Sequence, residues 1–532
     1  MRPGLTARRQ AGRFCLVDFD GPEPPATLER RIADAHIAGV VLFRKNVRSA
    51  RQVAALTASL QGTARAAGAP PLLVAIDHEG GAVTRFPLRP DPAGPAMTPL
   101  PSAMALGAAG DPALARAAGA VAGAELRALG VHLNFAPVLD VNTNPANPVI
   151  GARAFGETAA MVTALGIAYL QGLQAAGVGA TAKHFPGHGD TSVDSHLGLP
   201  RVDHAIVRLE TVELAPFAAA VRAGVAAIMT AHVVYPALDP SGTPATMSAP
   251  ILAGLLRDRL GYGGLVVSDS LSMRAIADHV GVGEAAVAAV AAGCDLLLAL
   301  GPPALQDDVL ERLALAIERG VLPAARLAAA AARLADALQR RGAGTAGTGA
   351  PAGGPGPPDL AAHVGTPAHL DVARRIAEAA VTLVRDPAGR LPLRGRVAVV
   401  ALGGRSGPAE PVEGFWPELD ASLRRHGADA VGRPPDAKDL SAFDRVVAVT
   451  WGRGTPEART VEVWRALHRR VGDRLVVVAA GDPYELAAVP PDAACVATYG
   501  PDPFSIDAAA QVLLGRRRAR GRLPVTLPRA TP

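Results

Sequence analysis

One local pattern recurs through the first 300 residues: an alanine-rich helical segment ends near a glycine, and a short apolar run follows at once. The pattern occurs at residues 36–43, 127–141, 174–185, 222–232 and 291–300. Glycine just past a helix end is the usual left-handed cap, and an unalternating apolar run is what a parallel strand covered on both faces requires. The pattern therefore predicts repeated helix and strand units.

Three further apolar runs, at residues 14–18, 71–77 and 264–270, bring the number of predicted strands to eight. Eight parallel strands with intervening helices fit a TIM-type (β/α)8 barrel, which typically takes about 250 residues. A doubly wound open sheet is the alternative, and periodicity alone does not exclude it. Polar residues favour the barrel because they follow strand ends, where barrel enzymes gather their chemistry. These residues are Asp77, Asp140, Lys183, His184, His232 and Asp269.

Composition divides the rest of the chain into a linker and a second α/β unit. Residues 342–358 are almost entirely Gly, Ala, Pro and Thr, and such a segment cannot bury a core. Apolar strand runs separated by helical segments then return at residues 396–402, 445–451, 474–481 and 494–500. We predict a barrel domain over residues 1–341, a Gly/Ala/Pro-rich linker over 342–368 and a smaller α/β sandwich domain over 369–532.

Charge and cysteine content argue against several other classes of protein. The chain carries 53 Lys and Arg against 48 Asp and Glu, and its densest basic cluster, at residues 516–520, fits a solvated turn better than a nucleic-acid site. No apolar stretch reaches the roughly 18 residues of a membrane span, and none near the N-terminus resembles a signal peptide. The cysteines, Cys15, Cys294 and Cys495, show no CxxC spacing. We expect a cytoplasmic protein without nucleic-acid partner or membrane span.

The loop KHFPGHGDTSVDSH, residues 183–196, concentrates titratable groups after a predicted strand. Its His and Asp side chains could bind a divalent metal. Alternatively, Asp194 could orient His196 and raise its pKa for proton transfer, while Lys183 and His184 hold substrate oxygens. The metal interpretation is less favoured because the chain has no HExxH motif and no helical histidine pair, and we predict neither metal nor cofactor. Hydrogen bonding within the loop is the plainer alternative.

Two other strand ends supply candidate residues. The run GLVVSDS, residues 264–270, places Asp269 where its carboxylate can act as a nucleophile, a general base or a metal ligand, while the serines around it can cap the next helix. The run AIDHEGGAVTRF, residues 75–86, combines Asp77 with Arg85. That pair can bind hydroxyl groups or a carboxylate, or close the loop as a salt bridge.

Together these stretches resemble glycoside hydrolase family 3, and within it the β-N-acetylhexosaminidase branch. The resemblance covers most of residues 10–340, and the segment from residue 373 onward is similar to a shortened form of the family's second α/β domain. The matching stretches are DHEGGAVTRF (77–86), NFAPVLDVN (134–142), NPVIGARAFG (147–156), KHFPGHGDTSVDSH (183–196) and VVSDSLSM (266–273).

The resemblance implies a role for each matching residue. Asp269 corresponds to the nucleophile that forms a covalent glycosyl-enzyme, and His196 to the general acid/base, held by Asp194. The implied sugar-binding residues are Asp77, Arg85, Arg153, Lys183 and His184. The implied activity is that of a retaining exo-acting β-N-acetylglucosaminidase, with a small sugar or a muropeptide from cell-wall recycling as substrate.

Other functions stay open at this point. A β-N-acetylglucosaminide phosphorylase is a close rival, because a histidine acid/base lets a phosphate anion approach where a glutamate would repel it. A β-glucosidase is less favoured because of the loop at residues 183–196. A catalytically silent sugar-binding protein is the non-enzymatic alternative. The sequence does not settle the oligomeric state, although we favour a monomer, and it leaves the aglycone and the role of the C-terminal unit open.

Overall fold

The protein combines a closed barrel of eight parallel strands with a separate six-stranded sheet. The computed structural model describes residues 3–87, 95–194, 197–342, 359–402, 418–456 and 458–528. The barrel strands are β1 Cys15–Val17, β2 Gly39–Leu42, β3 Leu73–Ile76, β4 Leu133–Asn134, β5 Gly179–Phe185, β6 Ala227–Thr230, β7 Leu265–Ser270 and β8 Leu296–Ala299. Pairing of β1 with β8 closes the barrel. The predicted TIM-type fold is confirmed.

Helices that precede, connect and follow the strands surround the barrel. They are α1 Leu5–Gly12, α2 Ala26–Ala35, α3 Ala50–Ala66, α4 Ala103–Ala109, α5 Pro112–Ala128, α6 Ala159–Ala175, α7 Ile206–Arg208, α8 Ala215–Arg222, α9 Arg274–Ala277, α10 Val282–Ala292, α11 Pro303–Glu318 and α12 Ala324–Arg340. Residues Leu209–Glu213 and Pro250–Arg259 are π-helical. Among the described residues, no helix combines the length and the apolar character needed to cross a membrane.

Burial on both faces explains why the barrel strands are apolar without alternation. Leu16, Leu73 and Val267 pack inside the barrel, where Leu334 of α12 joins the same cluster. Val40 and other alternate side chains pack outward against the helices in the main core cluster. Successive strand residues point to opposite faces, so a sheet covered on both sides needs apolar residues at every position.

Glycine caps the helix before the strand in four of the five predicted units. The capping glycines, all with positive φ, are Gly130, Gly177, Gly224 and Gly293. The expectation is wrong for the first unit, where His36 takes the left-handed conformation and Gly39 already belongs to β2. A Cβ at Gly39 would lie 1.8 Å from the Leu73 carbonyl oxygen, so close strand packing, not capping, requires glycine there.

The second sheet has the strand order β11-β10-β12-β13-β14-β9, and only β9 is antiparallel to its neighbour. Its strands are β9 Thr382–Arg385, β10 Arg396–Leu402, β11 Asp429–Arg433, β12 Arg445–Thr450, β13 Leu475–Ala479 and β14 Ala494–Ala497. Its helices are α13 Pro367–Ala380, α14 Glu418–Arg425, α15 Ala458–Val471 and α16 Pro503–Leu513. Separate apolar clusters cover the two faces of the sheet, which makes this unit an α/β sandwich.

The segment between the two units packs partly against the barrel. The structure describes the predicted linker, residues 342–368, only at residue 342 and from residue 359 onward. In the latter part, Leu360 and Val364 are buried in the main core cluster, and α13 begins at Pro367. The division of the chain into three segments stays a prediction.

Loops of the second sheet contact loops at the C-terminal end of the barrel. Ser102 Oγ donates a hydrogen bond of 2.7 Å to the carbonyl oxygen of Tyr499. The Ala152 amide donates to Asp482 Oδ1 at 2.6 Å. Both barrel residues lie in connections that follow strands, so the second unit sits beside the end of the barrel where the predicted site lies.

Candidate active site

A cavity of about 330 Å³ opens where β3, β5 and β7 end. Six of the eight residues that the sequence predicts for the site line it, namely Asp77, Arg85, Arg153, Lys183, His184 and Asp269. Asp194 is buried and does not line the cavity. His196 lies outside the described residues. The fold therefore brings together side chains that are up to 192 positions apart (from 77 to 269) in the sequence.

Asp77 lies directly after β3 and holds two cations. Arg85 Nη2 donates to Asp77 Oδ2 at 3.0 Å, and Lys183 Nζ donates to Oδ1 at 2.8 Å. Burial alone would raise the pKa of Asp77, but the charges of Lys183 and Arg85 outweigh it and hold the pKa below its ordinary value. Asp77 is thus an ionised, fixed carboxylate on the cavity wall.

Glu79 is a second carboxylate of the wall, and the sequence analysis assigned it no role. Arg153 donates to both of its oxygens, at 2.8 and 2.9 Å, and Lys183 Nζ lies 2.7 Å from Oε1. Burial alone would raise the pKa of Glu79, but the charges of Arg153 and Lys183 hold it well below the usual range. The sequence feature that could have identified Glu79 is its position in the DHEGG stretch, two residues after Asp77. Glu79 thus holds Arg153 and Lys183, two of the predicted sugar-binding residues, in place.

Asp140 orients His184 on β5. The strand continues through Phe185, so Lys183 and His184 lie on the strand end and not in the loop that the sequence predicts over residues 183–196. His184 Nδ1 lies 2.7 Å from Asp140 Oδ2, and its amide donates to Oδ1 at 3.1 Å. An ionised carboxylate only accepts hydrogen bonds, so His184 Nδ1 carries a proton and donates it to Asp140.

His188, which is not among the predicted site residues, also lines the cavity. Its amide donates to Asp140 Oδ1 at 2.6 Å, and its Nδ1 lies 2.7 Å from Thr191 Oγ1. Burial, with help from the neighbouring His184, lowers the pKa of His188 to about 4. His188 is therefore a neutral imidazole near pH 7. It can exchange hydrogen bonds with a ligand but carries no charge.

Asp269 lies on β7 and reaches the same cavity from another side of the barrel. Its Oδ1 accepts a hydrogen bond of 2.7 Å from the Ser270 amide, which orients the carboxylate. The expected serine cap is absent: α9 begins at Arg274 without a side-chain cap, and the hydroxyls of Ser270 and Ser272 hydrogen-bond to each other. The half-buried Asp269 carboxylate is positioned at the cavity, as a nucleophile requires.

Comparison with known families decides the class of this protein. Residues 8–337 match the model of the glycosyl hydrolase family 3 N-terminal domain. The chain belongs to glycoside hydrolase family 3. The resemblance drawn from the motifs is therefore confirmed, and the protein is a glycoside hydrolase.

Relatives of this family 3 enzyme belong to the β-hexosaminidase branch, as the motifs indicated. Beta-hexosaminidase A of Pseudoalteromonas piscicida is 35% identical over 438 residues, covering 75% of this chain and 70% of that protein. The beta-hexosaminidase of Thiobacillus denitrificans is 40% identical over 304 residues, 56% of this chain and 81% of that protein. The solved structure of a family 3 β-N-acetylglucosaminidase from Paenibacillus sp. str. FPU-7 is 37% identical, with a TM-score of 0.89. It covers 99% of this chain and 100% of that one, so both units of the fold are shared.

The second unit of this family 3 enzyme adds one residue to the cavity that sequence reasoning missed. Arg453, in the connection after β12, lines the cavity together with the barrel residues. Asp482 supports its loop: Oδ2 accepts from the Gly454 amide at 2.9 Å, while Oδ1 accepts from Ala152, next to Arg153. No motif in the chain signals Arg453, because its position depends on how the two units pack.

Two histidines of the 183–196 stretch, His184 and His188, make hydrogen bonds to protein groups. Among the described residues, no group of three or more His, Cys, Asp or Glu side chains is arranged to hold a metal ion. His184 and His188 use Nδ1 for Asp140 and Thr191, as above. Cys15, Cys294 and Cys495 are unpaired and buried.

Proposed function

We propose that this enzyme is a retaining, exo-acting β-N-acetylglucosaminidase. The observation that supports it is the cavity itself, which Asp269 lines together with the ion-paired residues Asp77, Arg85, Lys183 and Arg153. At about 330 Å³ the cavity lies near the lower end of the range for small-molecule sites, which suits one terminal sugar better than a long chain. The names of the relatives at 35 to 40% identity support the N-acetylhexosamine part of the proposal.

In the proposed first step, the Asp269 carboxylate attacks the anomeric carbon and the glycosidic bond breaks. A glycosyl ester of Asp269 forms, and the departing oxygen takes a proton from the acid/base group. In the second step that group removes a proton from water, which attacks the anomeric carbon and releases Asp269. Two displacements at one carbon restore the original β configuration.

The proposed acid/base is His196, oriented by Asp194. A buried carboxylate next to an imidazole stabilises its protonated form, which suits proton delivery near neutral pH. The carbonyl oxygen of Asp194 accepts from the amides of Leu197 at 2.8 Å and Gly198 at 3.0 Å, so the backbone at Asp194 is anchored. The assignment of His196 rests on the sequence.

The remaining side chains would hold the sugar. Asp77 and Arg85 offer an acceptor and a donor for hydroxyl groups, and Lys183 and Arg153 offer further donors. Because the ion pairs already fix these side chains, little conformational entropy is lost when the sugar binds.

The direct test of this function is turnover of a chromogenic β-N-acetylglucosaminide, with NMR of the first-formed product anomer. We expect a β product from the wild type and at least a thousandfold loss, as an order-of-magnitude estimate, in Asp269→Ala. Full activity in Asp269→Ala would contradict the proposed mechanism. Running the reaction with and without phosphate tests phosphorolysis, since sugar 1-phosphate would appear only in that case.

The natural substrate belongs to the same proposal. A muropeptide from cell-wall recycling would carry a terminal N-acetylglucosamine. An enzyme located in the cytoplasm would encounter this muropeptide in the cytoplasm. Three unpaired, buried cysteines favour a reducing compartment. Both the muropeptide and the location stay predictions, and product analysis on purified muropeptides would check the first.

A further inference from the structure

A second cavity, of about 370 Å³, lies at the end of the barrel opposite to the active site. Gly264 and Leu265, where β7 begins, line this cavity together with Ala226, directly before β6. Farther along the same two strands, Met229 and Asp269 line the active-site cavity. A volume of this size falls within the range of small-molecule sites. The cavity is therefore a candidate binding site apart from the one that holds the predicted sugar-binding residues.

The helix α12 gives this cavity a charged wall. Leu334 and Leu338 of the helix pack into the apolar cluster inside the barrel, so α12 closes the barrel at this end. The residues of α12 and its C-cap that line the cavity are Arg333, Asp336, Ala337, Arg340 and Arg341. Their spacing of three, four or seven positions places them on one face of the helix. Three of these five residues are arginines, so the wall is basic.

One buried carboxylate next to this wall is shared by three arginines. Asp295 Oδ2 accepts a hydrogen bond of 2.6 Å from Arg257. Its Oδ1 accepts from Arg326 at 3.0 Å and from Arg333 at 2.9 Å. Because one carboxylate neutralises a single charge, this group of four side chains carries an excess of two positive charges. Arg333 is the member of the group that reaches the cavity.

Arg341 adds a further positive charge beside Arg340. Asp336 pairs with Arg340, whose Nε lies 2.8 Å from Oδ2. Within the described ranges, the side chain of Arg341 forms no hydrogen bond or ion pair. Burial and the charges of Arg340 and Arg127 lower the pKa of Arg341 against the attraction of Asp336, although a guanidinium stays charged at physiological pH. The chain that continues from Arg341 has no acidic residue before Asp359. Asp336 thus serves two arginines, and the wall keeps a net positive charge.

A glycine-rich loop forms another wall of the cavity. Gly261, Gly263 and Gly264 line it in the connection before β7. Arg257 donates to the carbonyl oxygens of Tyr262 at 2.8 Å and Gly264 at 2.6 Å, which holds the loop in place. Gly261 has a φ of +70°, which favours glycine, but a Cβ at Gly263 would meet no atom within 4 Å. Glycine at position 263 therefore leaves room that a larger side chain would take.

We propose that this cavity binds the phosphate group of a small phosphorylated molecule. A phosphomonoester carries a charge of about −1.5 to −2 at pH 7, which suits a wall with more than one excess positive charge. Guanidinium groups offer paired N–H donors that match phosphate oxygens. The cavity is larger than one phosphate group needs, so an organic part such as a single sugar fits beside it. This site is separate from the proposed β-N-acetylglucosaminidase function and does not depend on it.

Calorimetric titration of the full-length protein tests the site with three probes: glucose 6-phosphate, inorganic phosphate and glucose. We expect glucose 6-phosphate to bind about tenfold more tightly than either of the others, because it alone combines a phosphate group with an organic part that fills the cavity. In Arg341→Gln we expect the Kd of glucose 6-phosphate to rise about tenfold, since a charge-assisted hydrogen bond is lost. Thermal unfolding checks that each variant folds.

Two further comparisons separate binding in the cavity from a general effect of charge. Arg340 and Arg312 are both exposed helix arginines that pair with an aspartate four residues earlier, but Arg340 alone lines the cavity. Arg340→Gln should therefore weaken the binding of glucose 6-phosphate, and Arg312→Gln should leave it unchanged. Gly263→Phe fills the cavity without changing a charge. It should weaken glucose 6-phosphate more than inorganic phosphate.

Several outcomes would overturn the inference. One is that glucose 6-phosphate does not bind the wild type, or binds folded Arg341→Gln and Arg340→Gln with unchanged Kd. Another is that inorganic phosphate binds as tightly as glucose 6-phosphate and Gly263→Phe affects neither, which would leave the cavity to free anions. Competitive inhibition of N-acetylglucosaminide turnover by glucose 6-phosphate, with an inhibition constant equal to its Kd, would place the ligand in the active site instead.

Discussion

At the scale of single residues, the site is organised by a continuous row of alternating charges. Lys183 stands at its centre, only 2% exposed, with Nζ 2.8 Å from Asp77 and 2.7 Å from Glu79. Arg85 and Arg153 extend the row at its two ends. Charges taken out of water are expensive unless each has partners, so every member depends on its neighbours. The row orders the wall before any ligand arrives.

Removing the charge of Lys183 should therefore lower the stability of the folded protein. In Lys183→Met, two buried carboxylates lose a shared partner, and we expect the free energy of unfolding to fall by about 3 kcal/mol. Urea denaturation at pH 7 measures it. Lys45→Met is the matched control, because Lys45 also bridges two carboxylates, Asp18 and Asp20, but is 37% exposed. There we expect a loss of about 1 kcal/mol or less.

The ion pairs of Lys183 also predict how the difference in unfolding free energy between the wild type and Lys183→Met changes with pH. The pKa values of Asp77 and Glu79 are lowered in the folded state, so their stabilisation is present above the unfolded values near 4 and is lost as the pH falls. The gap between wild type and Lys183→Met should be widest near pH 7 and shrink below about pH 4. A gap that stays constant from pH 7 to pH 3 would contradict the charge pairing.

At the scale of elements, the end of β5 and the loop after it are fixed by close backbone packing. A Cβ at Gly189 would lie 1.9 Å from the carbonyl oxygen of Val141, in the connection after β4. The neighbouring His188 amide binds Asp140, which also orients His184. The glycine thus lets the loop approach the carboxylate that organises two histidines.

Gly189→Ala should disturb this packing. We expect the free energy of unfolding to fall by about 2 kcal/mol, because backbone atoms must shift to admit the methyl group, and kcat/KM to fall with it. Gly198→Ala in the same loop is the control, since its nearest atom would be 3.5 Å away at Val193. Equal stability of the two variants, measured by thermal unfolding, would show that the close approach does not matter.

The apolar runs predicted the barrel because every strand residue must be buried on one face or the other. Shorter or polar elements carried no such signal: β11, Asp429–Arg433, has charged ends at the sheet edge and was not predicted. From the residue pattern alone, site residues could be predicted where an acidic side chain directly follows an apolar strand run, as at Asp77 and Asp269. Glu79 lies inside the DHEGGAVTRF stretch, but the sequence pattern assigned it no role. Arg453 depends on the packing of two units, which local patterns do not encode.

At the scale of the whole molecule, the second unit completes the wall of a cavity that the barrel begins. Glu485 lies under the Arg453 loop, where a Cβ at Gly452 would meet its carboxylate, and it accepts a hydrogen bond from the Thr450 hydroxyl. Burial, opposed by that hydrogen bond, raises the pKa of Glu485 to about 7. This buried acid couples the stability of the second unit to pH.

A raised folded pKa means that the stabilisation from Glu485 is fully present below the unfolded value of 4.5 and is lost as the pH rises to about 7. Glu485→Gln removes this titration. Relative to that of the wild type, the variant's free energy of unfolding should rise by about 3 kcal/mol between pH 4.5 and pH 8, as urea denaturation would measure. Glu462→Gln, exposed on α15, is the control. A Glu485→Gln difference that does not vary with pH would contradict the burial argument.

The most direct test of the central claim is to trap the glycosyl-enzyme. A fluorinated N-acetylglucosaminide with a good leaving group slows the second displacement, so mass spectrometry of the intact protein, followed by peptide mapping, locates the sugar. We predict one N-acetylglucosaminyl group per chain, bound to the Asp269 carboxylate and absent in Asp269→Ala. A sugar bound to any other residue, or β-configured product formed at the wild-type rate by Asp269→Ala, would contradict the account.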